Sequence, residues 1–240
     1  MAGHDEIRFR ARPPLRLLRH GILLWLGIAA LLVPRSLLRA DEFSQTTHYS
    51  VRMFSFGTLS VETRMGDVSV EGWDDPRLDV QAEKVVRASS PAKARMLYQR
   101  IQIHLEGQDK QIALRAMFPP RRLWRPFRGE SKLSVNFTIM MPYDANLTLH
   151  CVDGDVTVRG LVGREVLRVN YGDVEIDVPD VYRLRHFRAH SWLGYVESDL
   201  HGFEADSAGF GRNVFFTAPG DQDIFVDVRM GGVFVYSEDE

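Results

Sequence analysis

A short glycine-led phrase recurs along this chain and limits what it can fold into. GDVSVEG begins at Gly66, GDVTVRG at Gly154, GDVEIDV at Gly172, GYVESDL at Gly194 and GGVFVYS at Gly231; a looser copy, GRNVFF, begins at Gly211. From Gly154 onward the starts are 18, 22, 17 and 20 residues apart. Apolar residues two apart flank the phrases: Leu147, Leu149 and Cys151, then Val156 and Val158; Leu167 and Val169, then Val174, Ile176 and Val178; Ile224, Val226 and Val228, then Val233 and Val235. Period two is the strand signal, and glycine supplies the turn. One strand–turn–strand unit cannot bury its apolar face, but units stacked at strand spacing of ~4.8 Å can. The expectation is an all-β, solenoid-like stack of Gly-punctuated repeats. Gly66, Asp67, Gly154, Asp155, Gly172, Asp173, Gly194 and Gly231 would form its turns. The last unit runs into Ser237-Glu238-Asp239-Glu240, and charge of that kind suits an open sheet edge.

The chain from Val51 onward otherwise follows the same logic, apart from one helix and one loop. Val51 to Val85 alternates, broken by Gly57, Gly66 and Gly72, with a turn at the GWDDP of Gly72 to Pro76. Ser90-Pro91 opens one short helix, because serine caps free N–H groups and proline at the first helical position loses none. Ala94, Leu97, Tyr98 and Ile101 lie at helical spacing, which predicts a helix from Pro91 to about Arg100 covering the sheet. Ile101 to Leu105 and Gln111 to Ala116 predict a hairpin turning at Gly107 to Lys110. Residues 119–130 then carry three prolines and read as a long exposed basic-aromatic insertion loop.

The first forty residues are of another kind. Arg8, Arg10, Arg12, Arg16 and Arg19 precede an apolar run from Gly21 to Val33, and Ala40 stands before Asp41. A basic start, a short apolar run and a small residue form the layout of a secretory signal. Residues 1–40 are therefore expected to act as a signal peptide, or as a signal anchor holding the chain through residues 15–33, and both fates stay open. Either way residues 41–240 form the β-repeat domain on the far side of the inner (cytoplasmic) membrane, in the periplasmic or extracytoplasmic space. A single cysteine, Cys151, allows no internal disulfide and no thiolate metal cluster. A net charge of −2 gives no reason to expect nucleic acid as a partner.

GDVSVEGWDDPRLDVQAEK and LTLHCVDGDVTVRGLVGREVLRVNYGDVEI resemble the bacterial putative-adhesin domain family of unknown function, over roughly Thr46 to Tyr236. What the resemblance implies is an exported all-β repeat protein of solenoid type that presents a surface and has no catalytic residues to carry over. The chain departs from that pattern in its proline- and arginine-rich insertion and in the imperfect Gly211 unit.

Candidate sites follow from residue chemistry. In the insertion loop Arg121, Arg122, Arg125 and Arg128 interleave with Trp124 and Phe127. Arginine forks pair with anionic groups, and aromatic rings suit an interface. The expected partners are an anionic envelope polymer, lipid head groups or another envelope protein; oligomeric state stays open. Asp67, Asp153, Asp155 and Asp173 gather at the turns, where satisfying backbone N–H groups outweighs calcium binding. His186 and His190 are four apart on a strand edge rather than a helix, which disfavours metal. Asn136 and Asn146 sit in N-x-T sequons that strand alternation explains. No cofactor fingerprint, phosphate loop or nucleophile elbow is present, so the chain reads as no enzyme, with no cofactor and no metal. The alternatives are a membrane-anchored structural or regulatory module that senses the state of the envelope and, more remotely, a polysaccharide-acting β-helix enzyme working through Asp177, Asp180 and Asp199.

Overall fold

Alternation at period two becomes strand almost wherever it occurs. The computed structural model describes residues 41–119, 133–200, 204–206 and 211–237, and these form an all-β architecture of fifteen strands. In chain order they are β1 Asp41–Thr63, β2 Val68–Trp73, β3 Arg77–Ala88, β4 Gln102–Met117, β5 Leu133–Pro142, β6 Asn146–Asp153, β7 Val156–Arg159 and β8 Glu165–Tyr171. There follow β9 Val174–Val178, β10 Leu184–Leu193, β11 Val196–Ser198, β12 Glu204–Asp206, β13 Arg212–Thr217, β14 Gln222–Met230 and β15 Val233–Ser237. The helix α1, Pro91–Tyr98, packs on β3. The Ser90 side chain accepts the Lys93 N–H at 3.3 Å, and Ala94 is its buried residue.

Each glycine unit other than the Gly211 copy contributes one strand to each of two flanks. β6, β8, β14 and β10 pair in parallel on one flank, and β7, β9, β15 and β11 on the other. The long β1 joins them: its first half pairs antiparallel with β3, and its second half runs parallel to β6 and β4. The sheet path runs β11-β15-β9-β7-β2-β5-β3-β1-β6-β8-β14-β10-β13-β12. At the far end β11 touches β13, so the path nearly closes on itself, barrel-like, around one apolar core. Into that core point Leu59, Leu147 and Ile224 from one flank and Val68, Val156, Val174 and Val233 from the other.

Five sequence expectations change here. The units do not stack in chain order: β14 lies between β8 and β10, and β15 between β9 and β11, so the last unit fills the gap between the third and fourth. β15 is therefore an interior strand, not the open edge expected for it. The Gly211 copy makes no coil, because β13 runs antiparallel to β10 and pairs on its other side with β12. Residues 102–117 form one strand, parallel to β1, with positive φ at Gly107 (91°) and Asp109 (63°) where the hairpin turn was expected. β10, expected as an edge, is flanked on both sides.

The glycine turns stack directly on one another. Gly172 has φ 137°, and a Cβ there would sit 2.2 Å from the Gly154 carbonyl oxygen. The aspartates beside the glycines form a second column. Asn136 Oδ1 accepts the Asp67 N–H at 3.2 Å, Asp67 Oδ1 the Asp155 N–H at 3.0 Å, Asp155 Oδ1 the Asp173 N–H at 2.9 Å, and Asp173 Oδ1 the Gly232 N–H at 2.6 Å. Backbone donors exposed by tight turns thus find acceptors one unit away.

Candidate functional site

Because strand side chains alternate, each Val-x-Val run that fills the core also sets a row of residues on the outer surface. On the β6–β8–β14–β10 flank the registers place Thr148, Val166, Phe225, Arg188 and Phe215 in one outward row. The next row holds His150, Arg168, Asp227, His190 and Asn213. Between these rows lies an open depression of about 390 Å³, lined by Arg164, Val166, Arg168, Arg188, His190, Phe225 and Asp227.

Its arginines differ from their neighbours. Arg183 and Arg185 clasp Asp221 and Asp223, and Arg159 holds Glu175 and Asp177 across β7 and β9. Arg164, Arg168 and Arg188 have no carboxylate in salt-bridge reach among the described residues. The Arg164 guanidinium instead lies 5.5 Å from the centre of the Phe225 ring, a cation–π contact that holds it over the depression. Asp227 stays 66% exposed and approaches His190 Nδ1 at 3.4 Å. The depression therefore carries three guanidinium charges against one carboxylate, beside aromatic rings, and can grip an anionic group by forked hydrogen bonds.

The residues singled out in the sequence fall elsewhere. Arg121, Arg122, Trp124, Arg125, Phe127 and Arg128 lie outside the described residues, as does the apolar run 15–33. Gly66, Gly154, Gly172, Gly194 and Gly231 line up in one column at the turns, with Asp67, Asp155 and Asp173 beside them. Those three carboxylates are occupied by backbone N–H groups, and among the described residues no cluster of three or more potential ligands is placed to hold a metal ion. His186 and His190 share a face, and each meets its own carboxylate: His186 Nδ1 to Asp223 Oδ1 at 2.9 Å, and His190 to Asp227. Asp223 is held down at about 2, chiefly by its hydrogen bonds to Arg185. Asp177 pairs with Arg159, Asp180 accepts the Tyr182 N–H, and Asp199 accepts the Ser237 N–H. Cys151 is buried and its thiol pushed up to about 11 by desolvation. Asn136 and Asn146 both brace turns: Asn146 Oδ1 accepts the Arg164 N–H at 2.9 Å and its Nδ2 donates to the Phe56 carbonyl.

Sequence reasoning missed Arg164, Arg168, Arg188 and Phe225. The available signal was parity: Phe225 and Arg188 occupy the outward positions of Ile-Phe-Val and Phe-Arg-Ala. Nothing in the sequence says that β14 and β10 are neighbours, so the cluster is invisible until the strands are paired.

A second depression, about 570 Å³, lies beside the first glycine turn and is lined by Glu42, Asp67, Glu83, Arg87, Asn136 and Asp153 among others. There Arg87 pairs with Glu42, Asn136 Nδ2 donates to Glu83, and Asn136 Oδ1 accepts the Asp67 backbone N–H.

No protein-family model matches this chain, and no curated protein matches it. Solved structures do. A cell adhesion protein, described as putative, from Clostridium sporogenes is 11% identical and superposes with a TM-score of 0.50 over 81% of this chain and 100% of its own. A putative adhesin from Bacteroides fragilis is 10% identical, with a TM-score of 0.24 over 83% of this chain and 99% of its own. One from Parabacteroides distasonis is 10% identical, with a TM-score of 0.26 over 80% of this chain and 70% of its own. At these identities the likeness is one of fold, and it rests on the first of the three. The putative-adhesin resemblance read from the glycine phrases thus has its counterpart in solved structures.

Proposed function

We propose that this chain is a non-enzymatic, adhesin-like protein of the cell envelope, exported or membrane-tethered, that offers its outer β surface to an anionic partner. The observation that carries the reading is the depression around Phe225, where Arg164, Arg168 and Arg188 have no carboxylate partner among the described residues. Exposed ion pairs contribute little to stability, and among the described residues these arginines make none, which leaves their charges for a partner. The parallel strands of the barrel-like sheet hold these outward rows in register. The arginine-aromatic loop at 119–130 would add a second anionic contact, and linked weak contacts raise affinity steeply. The basic start and the apolar run 21–33 support export, by cleavage after Ala40 or by anchoring.

Two measurements test this. Fractionation of the expressed chain with sequencing of its mature N-terminus should find it outside the cytoplasm, starting at Asp41 or still membrane-bound; an intact cytosolic chain refutes export. The purified full chain should bind envelope fragments in a salt-sensitive manner. Retention that ignores both salt and the charge reversal Arg168→Glu with Arg188→Glu refutes the binding face.

A further inference from the structure

Resting on that reading of the face, we propose that the depression between β8, β14 and β10 binds a carboxylated polysaccharide, an acidic sugar polymer laid across the strands. Four features of the surface select this ligand class. First, the donors are arginines, whose planar forks match carboxylate oxygens in pairs. Second, they are spread out. Arg168 on β8 and Arg188 on β10 are two strands and two residues apart. That places their Cα atoms roughly 12 Å from each other at ordinary strand spacing and rise. An extended ligand with repeated charges meets them in succession. Third, Arg188 sits between Phe225 and Phe215, which are its directly paired neighbours on β14 and β13. Phe215 is 43% exposed. Flat rings on either side of a guanidinium suit the C–H face of a sugar ring whose carboxylate the guanidinium holds. Fourth, Asp227 stands exposed inside the basic cluster. A carboxylate there repels a purely anionic surface but accepts hydrogen bonds from sugar hydroxyls.

The alternative anionic partners fit less well. A bilayer surface is flat and does not enter a depression of about 390 Å³. A DNA strand offers Asp227 no hydroxyl along its backbone, whereas each ring of an acidic sugar polymer does.

The experiment is titration of the full-length chain with polygalacturonate, beside neutral dextran, phosphatidylglycerol vesicles and a single-stranded oligonucleotide. Polygalacturonate should bind, weaken as salt rises, and bind at least tenfold more weakly to the Arg168→Ala, Arg188→Ala double variant. The Phe225→Leu variant, which keeps apolar bulk but removes the flat ring, should also lose affinity. The Arg95→Glu, Arg100→Glu variant, altered in and just beyond α1, which packs on β3 and does not line the depression, should bind as the parent does. Thermal midpoints of all variants should match the parent, which separates lost binding from lost fold. Vesicles or oligonucleotide binding in an Arg168- and Arg188-dependent way while polygalacturonate does not would overturn this inference and leave the anionic face standing. No binding to any anionic probe would overturn both.

Discussion

Replacing glycines of the turn column, with Gly160 outside the column as the reference, measures how closely the units are stacked. Three alanine substitutions divide the effect. At Gly160, φ is 64° and the nearest atom to an added Cβ is 3.6 Å away, so only the left-handed backbone is penalised; that costs about 1–2 kcal/mol. At Gly194, φ lies outside the positive range but a Cβ would sit 2.0 Å from the Gly231 carbonyl oxygen. Backbone must move there, and overpacking of this kind costs about 1–3 kcal/mol. Gly172 combines both, with φ 137° and the Gly154 oxygen at 2.2 Å, so its loss should approach the sum, roughly 2–5 kcal/mol. That is a large part of the total stability of a domain, about 5–15 kcal/mol. Urea unfolding followed by circular dichroism reads the three directly. With a slope near 2 kcal/mol per M, Gly172→Ala should lower the midpoint by about 1–2.5 M, and Gly160→Ala by less than 1 M. If Gly160→Ala costs as much as Gly172→Ala, the units do not approach each other this closely in solution and the glycine column has no steric meaning.

Two further outcomes follow from buried polar groups. Glu165 replaces the leucine or isoleucine of the row Leu59, Leu147 and Ile224, and burial pushes its carboxyl up from 4.5 to about 8 despite a hydrogen bond from Gln222 at 3.1 Å. The folded chain then holds a proton that the unfolded chain has released. This contribution to stability is full below about 4.5 and is lost as pH rises through about 8. Urea midpoints measured at pH 5, 6.5 and 8 should therefore fall more steeply for the parent than for Glu165→Gln; equal slopes would show that the carboxyl is not buried and neutral. The row Thr63, Cys151, Val169, Val228, Ser191 gives a matched pair. Thr63 Oγ1 is buried without a partner, whereas the Ser191 hydroxyl donates to the Gly231 carbonyl at 2.7 Å. Thr63→Val should leave stability unchanged or raise it by about 1 kcal/mol, and Ser191→Ala should lower it by about 1–2 kcal/mol, in the same melts; the opposite order would contradict the hydrogen bonding described.

Local rules were enough for much of this molecule. Period-two alternation marks β6 through β9, β14 and β15 because a half-buried strand must alternate, and Ser90-Pro91 marks the start of α1 because free N–H groups need a cap. The glycines at 66, 154, 172, 194 and 231 stand out because turns this tight leave no room for a Cβ. Cys151 reads as a core residue from its parity alone. The order of the units was decided only in three dimensions. All units share the same valine rows, so β14 fits between β8 and β10 as well as beyond them, and no short-range signal distinguishes the two. Insertion of the last unit turns an expected edge into an interior strand, and it brings Phe225 beside Arg188. The arginine depression is a consequence of that pairing. Its residues come from β8, β10, β14 and the turn before β8, more than sixty positions apart at the extremes. Core rows are repeated and so can be read along the chain; an outward cluster is assembled across strands, and only the register of neighbouring strands creates it.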